Sequence, residues 1–239
     1  MARSVGNIDQ GLPLPQIRSL QTPTVADKVF AVLQQRILTL ELPPGTKLSE
    51  TEVAKTMGVS RQPVREAFKR LAKLDFLLIR PQSGTTVSLI SEEAVLRARY
   101  IRTALEVHTC RTACELLGPK EHRALRSIID AQNEAINESD RDGFHALDDH
   151  FHRQICILSG VGYVWDLIHD NKAHMDRVRM LSLSSTSQQY AVKEHTAILD
   201  AIEQGDADAA AMAFTNHLSR ILLLIEEIKA DNHRWFTDL

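Results

Sequence analysis

The chain has 239 residues, of which 44% are hydrophobic, 5% aromatic and 25% charged, with 10 glycines and 8 prolines. This composition is typical of a helix-rich globular protein and argues against a disordered chain or a β-sandwich. Its 3 cysteines are an odd number, which does not suit a disulfide framework. No segment has the length and low polarity of a membrane span or secretory signal, so we expect a cytoplasmic protein.

The formal charge of -3 hides a separation between two regions of the chain. Residues 1–88 contain 12 lysines and arginines against 7 aspartates and glutamates, whereas the remainder contains 16 against 24. The front third is therefore basic and suits a polyanion, whereas the acidic remainder does not. A chain of this length is expected to form two domains.

The first part of the chain shows clear helix boundaries. Residues 1–23 are rich in Gly, Pro, Ser and Gln without periodicity, so we predict a mobile N-terminal arm. A first helix begins at Thr24, which can form a capping box with the residue three positions on. A second, short helix follows Ser49 and stops at Gly58, and a third is capped by Ser60. The run FLLIRPQSGTTVSLI then predicts a β-hairpin.

Two short helices joined at Gly58 and followed by a hairpin predict a winged helix-turn-helix over residues 24–90. The second helix of such a pair enters the major groove, so its outward positions should carry groups that read bases. Arg61 and Arg65 lie opposite the apolar stripe of this helix, and Gln62 lies in the same turn. Arginine can bind guanine bidentately and glutamine can bind adenine. The alternative is that both arginines are ordinary surface charges.

The segment PPGTKLSETEVAKTMGVSRQPVREAFKRLAKLDFLLIRPQSGTTV resembles the DNA-binding domain of the GntR family of bacterial transcription regulators. The resemblance implies a double-stranded DNA operator as the partner. This chain has Gln62 where many members have threonine. The residues that we predict to contact DNA are Ser60, Arg61, Gln62, Arg65 and Gly84.

From Ser91 onward the hydrophobic pattern is helical throughout, and glycines separate the periodic segments. We predict helices over residues 91–117, 119–138, 141–159, 161–182, 187–204 and 206–230. The fold class is therefore mainly α, with the winged helix-turn-helix followed by an all-α bundle over residues 91–230. Residues 231–239 are expected to form a C-terminal tail.

Polar residues interrupt the apolar faces of three of these helices. Asp148 lies inside or beside an apolar arc with His152 at its edge, and His195 and His217 each lie at the centre of a later apolar stripe. A buried carboxylate needs a partner or takes up a proton. Neutral imidazoles and a carboxylate suit Zn²⁺, Ni²⁺, Mn²⁺ or Fe²⁺, and an octahedral ion would keep two positions for a carboxylate-bearing ligand. Any one such histidine could instead be a satisfied core residue.

The patterns LDDHFHRQI, KEHTAIL and FTNHL resemble the all-helical FCD effector domain of the FadR-type branch of the GntR family. The resemblance implies a homodimer, which would bind a pseudo-palindromic operator, and a small organic-acid effector beside a divalent metal ion. The metal ligands that it implies are Asp148, His152, His195 and His217.

Three further residues are predicted to bind the effector. Arg102 matches a segment where the family places an arginine that faces the ligand pocket, and a structural salt bridge is the alternative. His174 and Arg177 could line the same pocket or simply pack within the bundle.

These observations favour a DNA-binding transcription regulator, a repressor rather than an enzyme, whose operator affinity is controlled by the effector. One alternative is a metalloenzyme acting on a small carboxylate, because an open metal ion can activate water, although no residue near the ligands stands out as a general base. The other is a metal-ion sensor. The sequence does not identify the metal, the effector or the operator.

Overall fold

The computed structural model describes residues 23–80 and 84–237. Apart from its last residue, the N-terminal arm predicted over residues 1–23 lies outside these ranges. Within the part of the chain that the structure describes, no helix combines the length and low polarity that crossing a bilayer requires.

The front of the molecule is the predicted winged helix-turn-helix. The capping box between Thr24 and Asp27 starts the first helix, and Gly58, at φ 64°, provides the left-handed turn between the second and the third. Its elements are α1 (Val25–Leu38), β1 (Lys47–Leu48), α2 (Glu50–Met57), α3 (Arg61–Lys73), β2 (Leu77–Arg80) and β3 (Gly84–Val87).

The sheet of this region has three antiparallel strands in the order β1-β3-β2. Strands β2 and β3 form the predicted hairpin, with Leu77 opposite Val87 and Arg80 opposite Gly84. Strand β1 was not predicted, because two residues are too few to show the alternation that reveals a strand.

The rear of the molecule is a bundle of helices, as predicted. Helix α4 packs against α10, and α5 packs against α6 and α9, around a core that includes Phe144, Phe151 and Phe214. The helices are α4 (Glu92–Leu116), α5 (Pro119–Asn137), α6 (Arg141–Leu158), α7 (Tyr163–His169), α8 (Ala173–Ser182), α9 (Ser185–Glu203), α10 (Ala207–Ser219) and α11 (Ile221–Asp231).

The prediction of one helix over residues 161–182 was wrong, because the structure has α7 and α8 with a break at residues 170–172. At this break the buried ammonium of Lys172 donates to Asp149 of α6 at 2.7 Å and to Asp176 of α8 at 2.6 Å. The contact ties the start of α8 to a neighbouring helix. An apolar pattern that continues through the break cannot reveal such a tertiary contact.

The prediction of one helix over residues 206–230 was also wrong, because α10 and α11 are separated at Arg220. The hydroxyl of Ser219 donates to the carbonyl of Thr215 at 2.7 Å, an arrangement that bends helices. Helix α9 begins at Ser185, two residues before its predicted start, because Ser184 caps it.

Within the predicted C-terminal tail, residues 235–237 pack against the linker between the two regions. After α11, a turn of 3₁₀ helix spans His233–Trp235, and Phe236 then pairs with Ile90 as an isolated parallel bridge. The Ile90 amide donates to the Trp235 carbonyl at 2.8 Å, and the Thr237 amide donates to the Ile90 carbonyl at 2.9 Å. Both Ile90 and Phe236 are buried, so the tail is anchored on the linker.

Candidate DNA interface and buried histidine cluster

Helix α3 separates its apolar and basic faces as expected for a recognition helix. Val64 and Phe68 are buried in the core of the front region, whereas Arg61, Gln62 and Arg65 are exposed on the other face. The structure therefore brings the three predicted base-reading residues to one surface.

The other two predicted DNA contacts lie on either side of these arginines in the chain. Ser60 occupies the N-cap position of α3, but its side chain makes no capping hydrogen bond, so the predicted side-chain cap was wrong. Gly84 is exposed at the start of β3, with a left-handed φ of 91° that favours glycine. Residues 81–83, which complete the hairpin, lie outside the described ranges.

An acidic residue that sequence reasoning missed lies on this surface. The carboxylate of Glu50, the first residue of α2, accepts hydrogen bonds from Arg65 at 3.1 and 3.2 Å and from Arg61 at 3.5 Å. The hydrogen bonds from Arg65 lower the pKa of Glu50, so it is charged at neutral pH. The position of Glu50 next to a cap gives no sign of this contact, which depends on the angle between α2 and α3.

The four predicted metal ligands meet in the core of the rear region. Asp148 and His152 project from α6, His195 from α9 and His217 from α10, and all four are buried. Their candidate ligand atoms lie within 4.8 Å of one another. Nε2 of His195 is 3.7 Å from Asp148 Oδ1, and the Nε2 atoms of His152 and His217 are 3.2 Å apart.

Each histidine of the cluster has its Nδ1 atom held by an acceptor. Nδ1 of His152 contacts a carboxylate oxygen of Glu106, Nδ1 of His195 is 3.0 Å from Gln132 Oε1, and Nδ1 of His217 is 2.8 Å from Glu194 Oε2. When each Nδ1 carries the proton and donates it outward, each Nε2 presents a lone pair to the centre of the cluster. This is the usual arrangement around histidines that bind a metal.

Several atoms at the centre have no hydrogen-bond partner among the described residues: both carboxylate oxygens of Asp148 and Nε2 of His195. Arg179 forms an ion pair with Asp148 without the geometry of a hydrogen bond. Burying a polar group without a partner, as at Nε2 of His195, costs free energy, typically about 1–3 kcal/mol. The arrangement therefore fits a cation placed between them.

The protonation states agree with this fit. Burial lowers the pKa of His195 well below its usual range and that of His217 to about 4, so both are neutral at pH 7. Burial raises the pKa of Asp148, but the neighbouring groups that favour its charged form, with Arg179 first among them, together outweigh burial and hold this pKa well below its usual value. Neutral imidazoles and an ionised carboxylate are the forms that bind divalent metal ions.

Two ligand atoms of one ion, each at about 2.1 Å from it, lie at most about 4.2 Å apart. The separations of 3.2 and 3.7 Å, and the 4.0 Å between His152 Nε2 and Asp148 Oδ2, meet this condition. Three nitrogen donors and one oxygen donor suit Zn²⁺, Ni²⁺, Mn²⁺ and Fe²⁺.

A small cavity of about 40 Å³ opens beside the cluster. His217 lines it together with three arginines and an apolar wall formed by residues such as Met175 and Leu224. The arginines are Arg102, Arg179 and Arg220.

Each of these arginines is paired with a carboxylate that belongs to the cluster or contacts one of its histidines. Nε of Arg102 donates to Glu106 at 2.5 Å, so Arg102 forms the salt bridge that was the alternative, and its role in binding the effector stays a prediction. Arg220 donates to Glu194 at 3.1 Å, and Arg179 pairs with Asp148 as described above. The sequence did not single out Arg179 or Arg220.

The other two predicted effector residues lie away from this cavity, at the junction with the front region. The Arg177 guanidinium donates to the Ser88 carbonyl at 2.5 Å and to Nδ1 of His174 at 2.7 Å. The Ser91 amide donates to the same Nδ1 atom at 3.1 Å. Burial, followed by the charge of Arg177, lowers the pKa of His174 to about 3, so its ring is neutral.

The sequence matches two family descriptions in tandem. Residues 25–87 match "Bacterial regulatory proteins, gntR family", and residues 99–220 match "FCD domain". The chain is 35% identical over 218 residues to the HTH-type transcriptional repressor RspR of Escherichia coli K12, covering 91% of this chain and 96% of the relative. It is 31% identical over 210 residues to the probable D-xylose utilization operon transcriptional repressor of Paenarthrobacter nicotinovorans, covering 86% and 90%.

Solved structures share this fold. The E. coli protein McbR/YncC superposes with a TM-score of 0.73 at 20% identity, covering 85% of this chain and 98% of that one. A GntR regulator described as putative, from Rhodococcus sp. RHA1, gives 0.71 at 20% identity, covering 84% and 97%. The chain belongs to the GntR family of bacterial transcription regulators with an FCD domain, and it is a DNA-binding regulator rather than an enzyme.

Proposed function

We propose that this protein is a transcriptional repressor whose operator affinity is controlled by a small organic acid bound at a metal ion in the rear region. The observation that carries the proposal is the buried cluster of Asp148 and three histidines, which adjoins an arginine-lined cavity and in which Nε2 of His195 has no hydrogen-bond partner among the described residues. Two relatives that match most of the chain are named as repressors, which supports the sign of regulation.

The charges around the cluster favour an anionic effector. The three arginines are balanced by three carboxylates, those of Glu106, Asp148 and Glu194. A divalent cation would add two positive charges to this largely buried set. An anion bound to the metal ion and facing the arginines would offset them, because charge–charge interactions are weakly screened in the interior.

A metal-ion sensor is the second candidate, and the size of the cavity favours it. A volume of about 40 Å³ holds a few water molecules and is smaller than an organic acid. If the ion is itself the signal, no enlargement of the cavity is needed. If an acid is the signal, the apolar wall must move on binding.

Helix α8 provides a connection between the cluster and the DNA-binding region. Met175 and Arg179 line the cavity, whereas Ala173 packs in the core of the front region and Arg177 holds the Ser88 carbonyl. A ligand that moves the cavity side of this short helix would therefore move its junction side. Such a change would alter how the recognition helix is presented to DNA.

We also propose that the protein binds DNA in the cytoplasm as a homodimer of the FadR-type branch, on a pseudo-palindromic operator. A single recognition helix reads only a few base pairs, and two-fold symmetry doubles the contact. The DNA-binding residues proposed are Ser60, Arg61, Gln62 and Arg65 at the start of α3, and Gly84 of the hairpin.

The test is a titration of metal-stripped protein with each candidate ion and then with mono-, di- and tricarboxylates, with operator affinity as the readout. The operator is a duplex selected by the protein from a random pool. We expect one combination of metal ion and acid to change operator affinity by about 5- to 150-fold. The operator should change the affinity for that acid by the same factor, because linkage between two binding sites is reciprocal. An effect of the metal alone would favour the sensor.

His195→Ala should remove this response and leave basal DNA binding unchanged, because His195 lies outside the front region. The exposed His108 provides a matched control, and His108→Ala should respond as wild type does. An undiminished response in H195A would remove the cluster from the effector site.

A further inference from the structure

Glu50 lies beside the arginines that are proposed to read bases. It is the first residue of α2, its side chain is 26% exposed, and it faces the basic side of α3. Its carboxylate receives Nε and Nη2 of Arg65 together, and Nη2 of Arg61 more weakly. A carboxylate on a surface that must approach phosphates repels DNA, so its presence there calls for a function.

The geometry of the Arg65 contact indicates that function. Arginine has five N–H donors in a planar fork, and the edge formed by Nε and Nη2 is occupied by Glu50. Both hydrogens of Nη1 and one of Nη2 have no partner among the described residues. This end of the fork is the pair of donors that can bind O6 and N7 of guanine.

We propose that Glu50 is a positioning residue for base recognition, which holds the guanidinium of Arg65 by one edge and presents the other edge to the major groove. An unrestrained arginine side chain has many rotamers, and ordering it on binding lowers affinity. Glu50 fixes the direction of the fork before DNA arrives. The proposal rests on the proposed role of Arg65 in reading a base.

The charge of Glu50 also increases the discrimination between operator and non-operator DNA. It cancels part of the positive potential of Arg61 and Arg65, and non-specific binding depends on that potential. Glu50 thus lowers affinity for any phosphate backbone while it supports recognition of the correct base. Both effects increase the difference between operator and non-operator DNA.

Glu50→Ala tests this inference, with Glu52→Ala as the matched control. Glu52 also lies in the first turn of α2, carries the same charge, is exposed, and has no arginine partner within residues 23–80 and 84–237. The two variants therefore lose the same charge and the same interaction with the N-terminus of the helix.

The probes are a duplex selected by the wild-type protein from a random pool and a scrambled duplex of equal length and composition. For E50A we expect the ratio of the two affinities to fall by about tenfold, part of what one bidentate base contact contributes. For E52A we expect both affinities to rise together and their ratio to stay unchanged. An unchanged ratio in E50A, or an equal fall in E52A, overturns the inference.

A double-mutant cycle separates positioning from direct contact of Glu50 with a base. If Glu50 acts through Arg65, then E50A adds no further loss of discrimination to R65A. A full additional loss would mean that Glu50 binds a base itself, and the inference would be wrong. If R65A alone leaves discrimination unchanged, the base-reading role of Arg65 fails first, and the positioning role of Glu50 fails with it.

Discussion

The two ends of this molecule use charge in opposite ways. At the DNA face, the side chains of Arg65 and Glu50 are 47% and 26% exposed, so their ion pair contributes little to the free energy of folding. In the rear cluster, Asp148 and His195 are fully buried, and Nε2 of His195 has no hydrogen-bond partner among the described residues. The comparison teaches that exposed charges can determine which partner binds with little effect on folding, whereas buried charges tie folding to whatever neutralises them, which in our proposal is a metal ion.

Removing the metal is the strongest way to test this contrast. At a free metal concentration about 1,000-fold above Kd, binding adds about 4 kcal/mol to the stability of the folded form. We expect chelation to remove this from the rear region and to leave the front region unchanged. Trp165 and Trp235 both lie in the rear region, so their fluorescence reports its unfolding, and amide exchange in α3 reports the front.

Asp148→Asn should make the rear region insensitive to chelator, whereas the exposed Asp170→Asn should behave as wild type does. Equal loss of stability in both regions would contradict the contrast. So would an unchanged melting curve in protein shown to have lost its metal.

Arg65→Ala tests the exposed charges of the DNA-binding surface. We expect it to reduce operator affinity by about 1–3 kcal/mol and to relax base preference at one position in each half-site, with thermal stability nearly unchanged. Binding to a panel of single-base operator variants measures this. Lys69→Ala, also exposed on α3, should weaken binding to all sequences alike, and the same uniform loss in R65A would make Arg65 a phosphate contact.

The junction between the regions should show a smaller effect, through pH. The pKa of His174 is about 3 in the folded protein and 6.5 in an ordinary environment, so below pH 6.5 the unfolded chain binds a proton that the folded chain does not. Stability is therefore lost as pH falls from about 6.5, by about 1.4 kcal/mol for each pH unit.

His174→Asn keeps a hydrogen-bond acceptor and should flatten this dependence between pH 6.5 and 5, as measured by denaturant unfolding. His108→Gln, at an exposed position, should leave the slope as in wild type. Parallel slopes for wild type and H174N would show that His174 does not titrate in this way.

The front region could be predicted almost completely from the sequence, because its boundaries are set by local features. The capping box at Thr24 and the left-handed turn at Gly58 are determined by the residues themselves. The contact of Glu50 with Arg65 was missed, because it crosses between helices whose relative angle no local pattern encodes.

The rear region shows where periodicity stops being informative. On α6 the alternation of buried and exposed positions reveals Asp148 and His152, and on α9 it reveals His195. On α8 every residue from Ala173 to Val178 is buried, so no polar face indicates what His174 and Arg177 contact.

The arginines of the cavity depend on partners far away in the chain. Arg179 pairs with Asp148 of α6, and Arg220 pairs with Glu194 of α9. The buried position of a cation becomes intelligible only when its partner is known, and sequence spacing does not reveal a partner on another helix.

The pairing of Phe236 with Ile90 sets an order of events during synthesis. The front region has its own core and can fold soon after it leaves the ribosome, because domains fold from the N-terminal end as they emerge. Ile90 in the linker pairs with a residue that is made nearly 150 residues later. Until residues 235–237 have been made, the DNA-binding region of a nascent chain can therefore be folded while the linker that follows it still lacks its pairing partner.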